Sequence, residues 1–142
     1  NSDAENILIK IHPCALEGNK NLANFRISEL KKLNDKRINL VSFDVNPYSL
    51  IAVSDEIKVV VSGMGFESLL YGKQVTCYGV PFYANWGITN DKKKSPRRTR
   101  NRSLEEIFYA FYIRQSRYFD PINKRPCELE DLIESIIEIK NN

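Results

Sequence analysis

The stretch VVVSGMGFESLLYGKQVTCYG, residues 59–79, constrains the fold more than any other part of this chain. An apolar run ends in two glycines bracketing one residue, an amphipathic segment follows, and a second apolar run closes it. Short β-branched runs bounded by turn residues read as buried strands, and the segment between them as the crossover helix of a parallel β-α-β unit. The spacing predicts strands at residues 57–61 and 74–78 and a helix over 63–71, stopped by Gly72. The same order recurs upstream. Residues 7–11 (ILIKI), bounded by Pro13, read as a strand, 26–33 as a short helix and 38–43 as a second strand. Asn46-Pro47 gives a cap residue followed by proline at the first helical position, opening a helix to about Val53.

Downstream, residues 79–102 read as a long irregular segment. Ser103 and Glu106 form a capping box for a helix to about Arg114, with Leu104, Ile107, Phe108 and Phe111 at the spacing of a buried face. Residues 120–126 read as a loop and 128–139 as a last amphipathic helix. Strands alternating with helices predict an α/β fold, a Rossmann-like parallel sheet flanked by helices.

At 142 residues the chain has the length of one domain, and residues 1–142 are read as a single Rossmann-like unit. Hydrophobic residues make up 42% and charged residues 27%, a globular balance, and no apolar stretch has the length of a membrane helix. The first residues, Asn1-Ser2-Asp3-Ala4-Glu5-Asn6, lack the basic and apolar regions of a secretion signal, and the missing Met reads either as a processed or tagged start or as a piece of a longer protein. Cys14, Cys77 and Cys127 are odd in number and widely spaced, which argues against a disulfide framework or a structural metal site and for a cytoplasmic, reduced protein. No metal and no cofactor are expected.

Ligands in doubly wound sheets bind beyond the carboxyl ends of the strands. Ser62-Gly63-Met64-Gly65 stands at such an end and opens a helix, where unpaired N–H groups and the helix dipole favour phosphate. The dinucleotide fingerprint fails, because Ser68 replaces its third glycine, and no P-loop Lys-Ser/Thr pair follows. A tight corner and a phosphate cradle therefore both remain open for this stretch. His12, the single histidine, ends the first strand on the same expected sheet edge, aimed by Pro13, and suits a phosphate contact or a leaving-group acid. Glu67, one turn into the helix, is placed either to reach a sugar hydroxyl or to face solvent.

Residues 80–89 (VPFYANWGIT) are too aromatic for an ordinary exposed loop and read either as a hydrophobic plug or as part of a substrate pocket, with Tyr83, Trp86 and Thr89 as its candidates. A basic cluster follows: Lys92, Lys93, Lys94, Arg97, Arg98, Arg100 and Arg102 put seven of the 21 basic residues within eleven positions, uninterrupted by an acid. Arg97 and Arg98 are candidate anion contacts. The cluster is equally a solvated face or a patch for nucleic acid or another polyanion, which is the alternative function for a basic α/β module.

Taken in order, IKIHP, VNPYSLI, GFESLLYGKQVTCYGVPFYANWGITND, RRTRNRSLEEIFYAFYIRQSRYFDP and PCELE resemble the capsule polysaccharide biosynthesis family of the KpsC/LipB type over most of residues 7–135. The resemblance implies one half of a GT-B glycosyltransferase, a retaining β-Kdo transferase that uses the nucleotide sugar CMP-Kdo to extend a lipid acceptor, phosphatidylglycerol, at the cytoplasmic face of the inner membrane. Nucleic acid is not a partner on this reading. The family's histidine-proline motif corresponds to His12-Pro13, and its serine-glycine segment to Ser62, Gly63, Met64, Gly65 and Glu67, both associated with the cytidine monophosphate end of the donor. One chain of this length supplies only the donor-binding half. The acceptor-binding half, and with it any carboxylate nucleophile, is expected to precede Asn1, so that the isolated piece lacks transfer activity.

Overall fold

A computed structural model describes residues 3–10, 28–30, 32, 34–41 and 45–141. The chain divides into two compact units, Asn1–Leu50 and Ile51–Asn142. In the first, β1 (Ile7–Lys10) pairs in parallel with β2 (Ile38–Val41), Ile7 opposite Ile38 and Lys10 opposite Val41. Residues 28–30 and 32 are helical, as the spacing predicts. Asp35 and Arg37 brace the entry to β2 through a paired carboxylate–guanidinium contact that holds Asp35 down at about 2. Helix α1 (Pro47–Val53) starts as expected, with the Asn46 side chain accepting from the Tyr48 N–H at 3.0 Å.

The second unit is built on a three-stranded parallel sheet in the order β3 (Glu56–Val59), β4 (Gln74–Cys77), β5 (Asn90–Asp91). Helix α2 (Gly63–Leu70) is the crossover from β3 to β4, and Gly72, at φ +70, ends the turn that follows it. Alternation along the strands sends Ile57, Val59, Val75 and Cys77 to one face, where Phe66 and Leu69 of α2 cover them. The opposite face carries Glu56, Lys58, Gln74 and Thr76, tied by Thr76 Oγ1 donating to Glu56 at 2.7 Å.

The segment after β4 completes the core. Phe66 is fully buried, with ring centroids of Phe82, Tyr83 and Tyr112 at 4.9, 5.8 and 5.5 Å. The helix expected over residues 103–114 exists but changes form. The Ser103–Glu106 capping box opens α3 (Leu104–Phe108), and the chain continues as a π-helix over Tyr109–Gln115. Propensity does not encode that switch. It coincides with aromatic packing, in which Phe111 reaches Phe82 at 4.4 Å while Tyr112 stacks on Phe108 at 5.0 Å. Side chains close its end, the Ser116 hydroxyl on the Phe111 carbonyl and the Tyr118 hydroxyl on that of Tyr112.

Two further elements depart from expectation. Asn90–Asp91, within the irregular segment, form β5, and the expected loop at 120–126 is an antiparallel hairpin of β6 (Tyr118–Asp120) and β7 (Arg125–Cys127). Neither pair is long enough to show an alternation. The hairpin is instead organised by the buried Asp120 carboxylate, which accepts from the N–H groups of Ile122 and Asn123, from the Asn123 amide and from the Ser135 hydroxyl of α4 (Leu129–Asn141).

Candidate functional site: the first turn of α2

Beyond Val59 the chain leaves the sheet at its carboxyl edge, and Ser62, extended at φ −146 and ψ 138, caps α2. Its hydroxyl accepts from the Met64 N–H and its carbonyl from that of Gly65, both at 3.3 Å. The Gly63 N–H has no partner among the described residues, and nothing lies within 4 Å of where a Gly63 Cβ would stand. The first turn contains no acidic residue. The positive end of the helix is therefore open on its outer side, with one free N–H and two weakly engaged ones.

The inner side of the turn is filled. Tyr83 is fully buried, its hydroxyl donates to the Ser62 carbonyl, and burial pushes its ionisation well above the usual tyrosine range. A Cβ on Gly65 would overlap that hydroxyl and lie 2.8 Å from Cζ and 3.1 Å from Val59. The two glycines thus have different reasons. Gly65 is bare because Tyr83 takes its space, and Gly63 faces open space. Met64 and Glu67 are half-buried, Glu67 one turn further along α2.

In the aromatic loop, read from the sequence as either a hydrophobic plug or part of a substrate pocket, the polar groups of Tyr83, Trp86, Thr89 and Arg98 bond within the protein. Trp86 Nε1 donates to the Phe82 carbonyl at 2.8 Å, and Thr89 donates to Asp91 at 2.9 Å. Asn85, held at φ +63, donates to the Lys93 carbonyl and accepts from the Ser95 N–H, while Asp91 accepts from its backbone N–H. Arg98 reaches the carbonyls of Pro81 and Ala84 at 2.6 and 2.8 Å and lies over the Trp86 ring at 5.4 Å. Thr89 lines a shallow cleft of about 290 Å³ with Glu56, Gln74 and Asn90. Glu56 and Gln74 begin their strands, so this cleft lies toward the amino ends, away from Ser62. Arg97 alone of the loop candidates is exposed without a partner among the described residues.

His12 and Pro13 lie outside the described residues. Cys77 is buried, its thiol pushed up by that burial, and no cluster of metal-ligating side chains occurs among the described residues. Sequence reasoning missed the Arg98 clasp and the Tyr83 brace. Adjacent arginines give no sign of which turns inward, and a tyrosine in an apolar loop gives no sign of where its hydroxyl goes.

A parallel β-α-β unit presenting an open helix start at the carboxyl edge of its sheet has the architecture of the nucleotide- and phosphate-binding α/β proteins. Residues 1–119 match the family of capsule polysaccharide biosynthesis proteins, and the chain belongs to that family. It is 34% identical over 140 residues to the capsule polysaccharide modification protein LipA of Neisseria meningitidis serogroup B, covering 94% of this chain and 19% of that protein. The lipopolysaccharide-processing protein LpsZ of Rhizobium meliloti is 36% identical over 146 residues, with 99% and 31% covered. The chain thus spans about a fifth to a third of the length of these relatives. Among solved structures, the β-Kdo 2,4 transferase of Thermosulfurimonas dismutans KpsC superimposes with a TM-score of 0.79 at 37% identity, covering 94% of this chain and 40% of the other. The β-Kdo 2,7 transferase of the same KpsC gives 0.73 at 31%, with 95% and 41% covered.

Proposed function

We propose that this chain is the donor-binding half of a GT-B glycosyltransferase of capsule synthesis, a retaining Kdo transferase that draws on CMP-Kdo. The carrying observation is the first turn of α2, with its open outer face at Gly63, its lack of an acid, and its backbone fixed from beneath by Tyr83. Likeness to two Kdo transferases supports Kdo as the sugar transferred. In this reading the cytidylate phosphate lies against the N–H groups of Gly63, Met64 and Gly65. They stabilise the charge that develops as the sugar–phosphate bond breaks. The Ser62 hydroxyl adds a donor, Glu67 orients a sugar hydroxyl, and His12, aimed by Pro13, meets the same phosphate or protonates it.

The acceptor is a lipid, phosphatidylglycerol, extended by Kdo residues at the cytoplasmic face of the inner membrane, where the protein is peripheral. No helix among the described residues is long and apolar enough to cross a membrane. The acceptor-binding half and the carboxylate nucleophile belong to another part of the polypeptide, and no metal or cofactor takes part.

Titrating CMP into the chain while following backbone amide resonances tests the donor site. Shifts concentrated at residues 62–67 and at His12 are expected, lost on Gly63→Val, whose side chain enters the open face. A flat response at millimolar CMP overturns the assignment. Transfer of Kdo to lipid by the isolated 142-residue chain would overturn the division of labour between halves.

A further inference from the structure

The basic cluster is sorted by the fold into two groups. Arg98 and Arg102 turn inward or sideways: Arg98 onto the Pro81 and Ala84 carbonyls, Arg102 onto Glu106 at 3.1 Å. Lys92, Lys93, Lys94, Arg97 and Arg100 are exposed, and none makes an ion pair among the described residues. The neighbouring acids are occupied, Asp91 by the Asn85 N–H and Thr89, and Glu106 by Ser103 and Arg102. The backbone carrying the five cations is held in place, because Asn85 pins Lys93 and Ser95 while the Arg98 N–H donates to the Ser95 carbonyl at 3.1 Å. Five positive charges are therefore exposed along a self-bonded loop. Of these, Lys92 donates to the Asn90 side chain at 3.3 Å and acts on the Glu56 carboxylate, while Lys93, Lys94, Arg97 and Arg100 have no carboxylate partner among the described residues.

We propose that this face, Lys92 to Lys94 with Arg97 and Arg100, docks the protein onto the surface of an anionic phospholipid bilayer. It rests on the reading of the acceptor as a lipid. The composition of the face favours a diffuse sheet of phosphates over a nucleic acid strand. Three of the five cations are lysines, which act as point charges rather than bidentate forks. The aromatic rings of the preceding loop, which base stacking would need, are withdrawn: Phe82 and Tyr83 pack on Phe66, and Trp86 is covered by Arg98. The donor phosphate already has its own place at α2, so these charges are not needed there.

The test is co-sedimentation of the 142-residue chain with vesicles of phosphatidylcholine alone and with 30% phosphatidylglycerol or phosphatidylserine, at 50 and 300 mM salt. Binding is expected to both anionic vesicles and not to the neutral ones, to weaken with salt, and to fall by about fivefold for each charge removed on the way to K92Q/K93Q/K94Q/R97Q/R100Q. A second variant, R114Q/R117Q/K124Q/R125Q/K140Q, removes five exposed charges elsewhere and is expected to keep binding. Equal loss in both variants, or retention in the first with its circular dichroism unchanged, overturns the proposal. So does tighter, salt-matched binding of a random single-stranded oligonucleotide at the same five residues. The CMP titration separates this proposal from the donor-site reading. Vesicle binding lost with the α2 shifts intact removes the docking face alone, and the converse removes the donor site alone.

Discussion

Gly65 is bare because Tyr83 occupies the space of its side chain, and the same tyrosine hydroxyl holds the Ser62 carbonyl three residues earlier. A buried ring thus fixes the helix start from inside, leaving its outer face free for a ligand.

Gly65→Ala is expected to destabilise the fold by about 1–3 kcal/mol through overpacking. Tyr83→Phe is expected to cost about 1 kcal/mol through the lost hydrogen bond and the stranded Ser62 carbonyl. In a double-mutant cycle, Gly65→Ala in a Tyr83→Leu background should cost less than in the parent. A coupling of at least 0.5 kcal/mol by urea unfolding is expected from residues in contact. Additivity within error would show that the two do not share that space.

Arg98 and Arg97 should behave oppositely despite being neighbours. Trp86 is the only tryptophan, so its emission reports the clasp directly. Arg98→Gln is expected to shift that emission to the red and lower stability by about 2 kcal/mol, as two charge-assisted contacts to carbonyls are lost. Arg97→Gln should leave both unchanged. Identical spectra for the two variants would remove the clasp.

Asp120 gives the hairpin a pH dependence. Hydrogen bonds from the Asn123 side chain and N–H, the Ile122 N–H and the Ser135 hydroxyl hold its carboxyl well below the usual aspartate range, against the opposing effect of burial. A carboxyl depressed in the folded state adds stability above its unfolded value, near pH 4, and that contribution is lost as pH falls toward the folded value. Melting temperatures of the parent should therefore fall below about pH 4. Asp120→Asn should melt lower at pH 7 and decline less steeply between pH 5 and pH 2. Parallel slopes would count against this assignment.

Ser103→Ala removes one arm of the capping box, at about 1 kcal/mol. Because α3 runs directly into the π-helix, hydrogen exchange should accelerate through residues 104–115 rather than at the first turn only. Protection lost at the first turn alone would mean the two helical forms unfold separately.

The α/β pattern was legible because strands and helices write their periods locally: the runs read at 57–61 and 74–78 overlap β3 and β4, those at 7–11 and 38–43 overlap β1 and β2, and the caps Asn46 and Ser103 and the stop at Gly72 needed only near neighbours. The helix start at Ser62-Gly63 was legible for the same reason, while the open space at Gly63 was visible only in the fold. Other features depend on partners far along the chain. Phe82 and Phe66 lie against the π-helix after Phe108, Asp120 reaches Ser135, Asn85 accepts from Ser95, and Arg98 reaches the Trp86 ring and, 17 residues away, the Pro81 carbonyl. Local propensity therefore determined the order of elements and the position of the candidate phosphate site. Tertiary packing decided which glycine is structural, which arginine is clasped and which charges are left facing water, since each of those depends on groups brought together only when the chain folds.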